Sequence, residues 1–169
     1  ARVIARGVEL YLDALAARGL LSAQAMVTAA ALDDPGRFLR LRHTIMTLLD
    51  YGAVPLLGEN QAVCGEELCA TDQNDVLAAR VTRLVEADLL VLLSAVDALY
   101  PGPPQRPGAE PIAHVALGDP LAGVEIGSVG SAGVGTGGAQ TKVSAARHAA
   151  EAGTAVIVTS TARVADALN

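Results

Sequence analysis

One lysine, Lys142, stands among 169 residues that hold twelve Lys and Arg together, and it closes the glycine-rich run GVGTGGAQTK from Gly133 to Lys142. A chain that uses arginine for every other cation has kept here a compact ammonium on a flexible stem, which suits a point contact to a phosphate better than a planar fork does. The glycines let backbone N–H groups approach phosphate oxygens, and the helical pattern beginning near Gln140 adds its positive dipole end. Lys142 would then offset charge gathering on a leaving oxygen. A plain surface lysine accounts for Lys142 taken alone. The glycine-dense stretch from Gly127 to Ala139, running straight into a helix, favours a phosphate site.

Two further loops carry polar groups that could do chemistry. In TDQND, Thr71 to Asp75, the first two residues suit the cap of the helix that follows. That leaves Asn74 and Asp75, an adjacent amide and acid, to face a ligand at the helix start. In GENQ, Gly58 to Gln61, a carboxylate and two amides follow an apolar run and can meet a small polar ligand, although a solvated loop has the same composition.

Positioning such groups is the work of the elements between them, and the chain alternates helical and strand patterns in the order of a parallel α/β sheet. Val3, Ile4, Val8, Leu10, Tyr11, Leu12 and Leu15 mark an opening helix, with Gly19 where a C-terminal cap belongs. A strand over Ala23 to Thr28 is followed by the turn Asp33, Asp34, Pro35, Gly36 and a helix that ends near Tyr51 and Gly52. AVPLL, Ala53 to Leu57, reads as a buried strand, Asn74 to Glu86 as a helix, and DLLVLLS, Asp88 to Ser94, as a central strand covered on both faces. Five prolines between Pro101 and Pro111 predict an irregular surface excursion. A helix from about Gln140 to Glu151, capped by Gly153, leads to a last strand from Ala155 to Thr159. In open sheets of this kind ligands gather at the carboxyl ends of the strands, where all three polar loops fall.

Composition narrows the function classes. Hydrophobic residues make up 51% of the chain and aromatic ones 2%, which implies a globular core of Val, Leu, Ile and Ala. A net charge of -6 argues against nucleic-acid and anionic-membrane partners, since both call for a basic surface. No apolar run approaches a bilayer span, and the start is an amphipathic helix rather than a signal peptide, so the expected location is cytoplasmic. Cys64 and Cys69 lack a second Cys or His pair beside them and read as free thiols. His43, His114 and His148 have no clear partners in the pattern.

Three blocks carry a family resemblance: DDPGRFLRLRHTIMTLLDYGAVPLLGEN (Asp33 to Asn60), NDVLAARVTRLVEADLLVLLSAVDALY (Asn74 to Tyr100) and GVGTGGAQTKVSAARHAAEAGTAVIV (Gly133 to Val158). In this order and spacing they resemble the glutamate 5-kinases of the amino-acid kinase superfamily. The resemblance implies an α/β fold with an open, mainly parallel sheet sandwiched between helices. It also implies ATP-dependent phosphorylation of the side-chain carboxylate of L-glutamate, the first step of proline biosynthesis, with Mg²⁺ as the expected ion and a homo-oligomer as the expected assembly.

Position by position, the resemblance assigns Thr136, Gly137, Gly138, Ala139, Gln140, Thr141 and Lys142 to the ATP site, with Lys142 steadying the transferred phosphoryl group. It makes Asp75 the acid that orders the catalytic lysines, Asn74 and Gln61 ligands of the substrate, and Ser94 and Ala95 neighbours of the nucleotide. Four positions depart from the family: Gln61, Gln73 and Ala95 each stand where it has an aspartate, and Gly58 replaces an asparagine. An amide at Gln61 removes charge complementary to an α-ammonium group, an expected cost of about 1–3 kcal/mol. The family's opening segment, with a second lysine and a substrate-contacting serine, has no counterpart among these residues, so 1–169 reads as a single, partial kinase domain. Two alternatives stand beside the kinase reading: a non-catalytic remnant that binds nucleotide or a partner subunit, and a related kinase acting on another small acid.

Overall fold

Asp34 shows how local chemistry sets the element boundaries. Its carboxylate accepts from the Arg37 N–H at 2.7 Å and caps a helix whose first residue is Pro35, where a missing N–H costs nothing. The computed structural model describes residues 2–60, 74–94, 97–102, 106–121 and 139–168. The chain divides into two compact units, Ala1–Ala70 and Thr71–Asn169.

The first unit runs α1 (Arg2–Ala16), β1 (Leu21–Val27), α2 (Ala29–Asp33), α3 (Pro35–Asp50) and β2 (Ala53–Glu59). Helix α1 ends in a glycine-dependent cap. Leu20 N–H donates to Leu15 O and Gly19 N–H to Ala16 O, and the first of these requires the positive φ, +71°, that Gly19 adopts. Val8, Leu12 and Leu15 are the half-buried side of α1, while Leu10 and Tyr11 are exposed. Strands β1 and β2 pair in parallel from Leu21↔Ala53 to Val27↔Glu59, with α2 and α3 as the crossover. Among the described residues of this unit Val27, Ile45 and Ala53 are the buried apolar ones. The short helix α2, capped by Thr28 Oγ1, falls where the pattern indicated no separate element, since five residues are too few to show a 3.6-residue period.

The second unit runs α4 (Asn74–Val85), β3 (Leu89–Ser94), α5 (Ala139–Glu151), β4 (Ala155–Ser160) and α6 (Val164–Ala167). β3 and β4 pair in parallel from Leu89↔Ala155 to Ser94↔Ser160. Leu90 and Leu92 are buried among Ala79 of α4 and Ala145 and Ala149 of α5. Leu89 and Leu93, on the other face of β3, are 40% exposed, so the strand read as covered on both faces is covered on one within this unit. An all-apolar run does not say which faces a helix will pack on. Gly153, at φ +93°, closes α5 with a cap in which Thr154 N–H reaches Ala149 O. Between β3 and α5 an isolated antiparallel bridge joins Leu99 to Ile112, and the described part of the proline-rich segment is otherwise irregular.

Parallel strands alternating with helices are the α/β architecture that the sequence pattern predicts. Among the described residues no helix is long and apolar enough to cross a membrane.

Candidate active site

Helices α4 and α5 each run into the strand that follows through a turn of three residues, so each lies antiparallel to its strand. Their N-termini therefore lie beside the carboxyl ends of β3 and β4, where open α/β sheets place their ligands. Small side chains let the two helices approach. Ala79, Ala145 and Ala149 are at most 2% exposed and form the seam.

Asp75 lies in the first turn of α4, and Thr141 and Lys142 lie in the first turn of α5. Lys142 Nζ donates to both carboxylate oxygens of Asp75, at 2.9 Å to Oδ1 and 2.8 Å to Oδ2, and Thr141 Oγ1 donates to Oδ2 at 3.4 Å. Both members of the ion pair keep only 15% of their side-chain surface exposed. A cation in the first turn of a helix sits against the helix dipole, whereas an anion there is favoured. Asp75 thus supplies what α5 itself cannot, a fixed negative charge that holds Lys142 at a place suited to receive anions. The arrangement can bind phosphate oxygens and can stabilise negative charge that develops on them.

A cleft of about 560 Å³ opens beside this pair, within the second unit. Lys142 and Ser94 give it polar groups, and Leu99, Ile112, Ala146 and Val156 are among its apolar walls. Arg147 donates to Asp119 O at 2.8 Å, and both residues line the cleft. The chemistry of the lining fits a ligand with an anionic end and a flat or apolar body.

A second polar cluster lies at the same edge. Tyr100 O–H donates to Asp97 Oδ1 at 2.9 Å, and Arg163 Nη1 donates to Asp97 Oδ2 at 3.0 Å. The Tyr100 hydrogen bond, then that from Arg163, holds the Asp97 carboxyl below the usual carboxylate range. The same bond to Asp97 pushes the Tyr100 phenol up. The sequence offered no signal for this cluster, because Asp97 and Arg163 are separated by 66 positions.

The residues singled out from the sequence fall in three groups. Asp75, Thr141 and Lys142 are brought together, and Ser94 ends β3 on the wall of the cleft that Lys142 also lines. Asn74 opens α4 next to Asp75 and is exposed, and Ala139 and Gln140 open α5, with Gln140 exposed. Gln61, Ala95, Thr136, Gly137 and Gly138 lie outside the described residues.

A lysine and an acid at paired helix starts beside a parallel sheet make an anion-binding arrangement. Residues 7–160 match the amino acid kinase family, and the chain belongs to it. Several proteins described as "Glutamate 5-kinase" are similar over 94% of the chain. That of Leifsonia xyli subsp. xyli is 54% identical over 158 residues, that of Clavibacter sepedonicus 53% over 158, and that of Streptomyces coelicolor 48% over 159. The matched parts make up 58%, 60% and 42% of those proteins, so the chain spans about half the length of its relatives.

Proposed function

We propose that this chain provides the nucleotide-binding part of a glutamate 5-kinase, transferring the γ-phosphoryl group of ATP to the side-chain carboxylate of L-glutamate. The observation that carries the reading is the two-pronged Lys142–Asp75 contact at paired helix starts, in a chain 54% identical to a protein described as a glutamate 5-kinase. The body of the nucleotide occupies the cleft walled by Ser94 and Leu99, and its phosphates meet the first turn of α5 at Thr141 and Lys142.

In the transfer a carboxylate oxygen of glutamate forms a bond to the γ-phosphorus while the bond from that phosphorus to the bridging β-oxygen breaks. The products are an acyl phosphate and ADP. Catalysis of this kind rests almost wholly on positioning and charge stabilisation. Lys142 meets the charge moving to the bridging oxygen, and Asp75, by holding two of the three N–H donors of the ammonium, keeps it from swinging to other anions and leaves the third for the phosphate. Asn74 and Gln61 orient glutamate. Mg²⁺ would accompany the nucleotide and offset the charge of its phosphates. A single kinase domain, a homo-oligomeric assembly and a cytoplasmic location belong to the same proposal.

The test is the full chain incubated with Mg·ATP, L-glutamate and hydroxylamine. A hydroxamate that depends on glutamate and is lost in Lys142→Met supports the reading. Nucleotide binding without any hydroxamate, with glutamate or with other small acids, would instead describe a binding protein.

A further inference from the structure

Asp97 sits in the short stretch after β3 and each of its carboxylate oxygens is taken by a different partner. Tyr100 is local and ties the stretch to itself. Arg163 is not: it lies in the turn after β4, at the boundary of α6, where its side chain makes no cap bond and remains available to Asp97. The arginine is in turn fixed from behind, because its N–H donates to Ser160 O at 3.1 Å and Ser160 pairs in register with Ser94. On the other side, Ile112 N–H donates to Leu99 O at 2.7 Å. Ala98 and Leu99, between Asp97 and Tyr100, are held by both attachments and line the cleft together with Ser94. Asp97, Tyr100 and Arg163 are not themselves among the lining residues.

We propose that Asp97, Tyr100 and Arg163 form a positioning network that fixes the Ala98–Leu99 wall of the cleft and thereby sets its affinity for nucleotide. The inference rests on the kinase reading of the cleft and adds to it a determinant that touches neither phosphate nor acceptor. Its physical basis is pre-organisation. A wall that samples several positions binds in only one of them, and the apparent dissociation constant rises by the reciprocal of the competent fraction. The network spans the carboxyl ends of both strands, so loosening it frees the wall without unpacking the helices, whose seam lies at Ala79, Ala145 and Ala149.

The experiment is calorimetric titration of the full chain with Mg·ATP, for the wild type, Arg163→Ala, Tyr100→Phe and the double variant. Each single change is expected to raise the dissociation constant about 3–10-fold, and the double to fall short of the product because both act through Asp97. Arg163→Lys should recover part of the loss. The gap between wild type and Arg163→Ala should narrow in 1 M salt, since an exposed ion pair is screened there. Melting temperatures should stay within about a degree, which separates this role from a merely structural one. Variants that bind Mg·ATP as the wild type does would overturn the network while leaving the kinase reading intact. A folded wild type that does not bind Mg·ATP would overturn both.

Discussion

Removing the Asp75 carboxylate separates an acid that orders the lysine from one that merely touches it. Lys142 reaches both oxygens within 2.9 Å, and each side chain is 15% exposed. An exposed pair is worth at most about 1 kcal/mol, whereas breaking a buried pair costs about 3–5 kcal/mol. At this burial Asp75→Asn is expected to destabilise the chain by about 1.5–3 kcal/mol, because an ammonium is left against a helix N-terminus. Lys142→Met should cost less, since Asp75 keeps Thr141 and the favourable end of α4. Asp75→Asn combined with Lys142→Met should recover part of the loss, with a coupling of about 1–2 kcal/mol in chemical denaturation. Function follows a different order. Mg·ATP at a hundred times its dissociation constant should stabilise the wild type by about 2.7 kcal/mol, a rise of about 5–11 °C in melting temperature for a chain of this size. That rise should vanish in Lys142→Met and shrink in Asp75→Asn, whose turnover should drop about 100-fold because the ammonium is no longer aimed. Wild-type turnover in Asp75→Asn, with no coupling in the cycle, would refute the reasoning.

Ala149→Leu should destabilise the second unit by about 1–3 kcal/mol in urea, because the residue is fully buried where α5 meets α4 and the added isopropyl group has nowhere to go. Gly153→Ala should cost about 1 kcal/mol, as its φ of +93° is unfavourable for any Cβ, while Gly58→Ala, whose added Cβ would sit 3.8 Å from Met26 Sδ, should be near neutral. The Asp97 network gives an acid-side pH dependence. Its folded pKa lies below the unfolded one, so its contribution is fully present above the ordinary carboxylate value and is lost as pH falls through the folded value. Wild type and Asp97→Asn should therefore differ by only about a degree in melting temperature at neutral pH, the pair being exposed, and converge in strong acid. Asp34→Ala should lower stability by about 1 kcal/mol through loss of the 2.7 Å cap of α3.

The sequence by itself determined the order of elements and most of their ends. Gly19, Gly52 and Gly153 all adopt the positive φ that marks a helix stop, and Asp34 and Pro35 start α3, because caps and turns are decided by neighbours along the chain. It also singled out Lys142 by its rarity and Asp75 by its place at a helix start. The residue pattern could not decide contacts between residues far apart in the chain, and a tie between Asp75 and the lysines was implied only by the family resemblance. The meeting of Asp75 with Lys142 spans 67 positions and that of Asp97 with Arg163 spans 66. A run such as LLVLLS says that leucines can be buried, not that Leu90 and Leu92 will be and Leu93 will not. Those outcomes depend on which helix faces the sheet and how closely alanines let α4 approach α5. Such packing is a property of the assembled layers, and no local pattern encodes it.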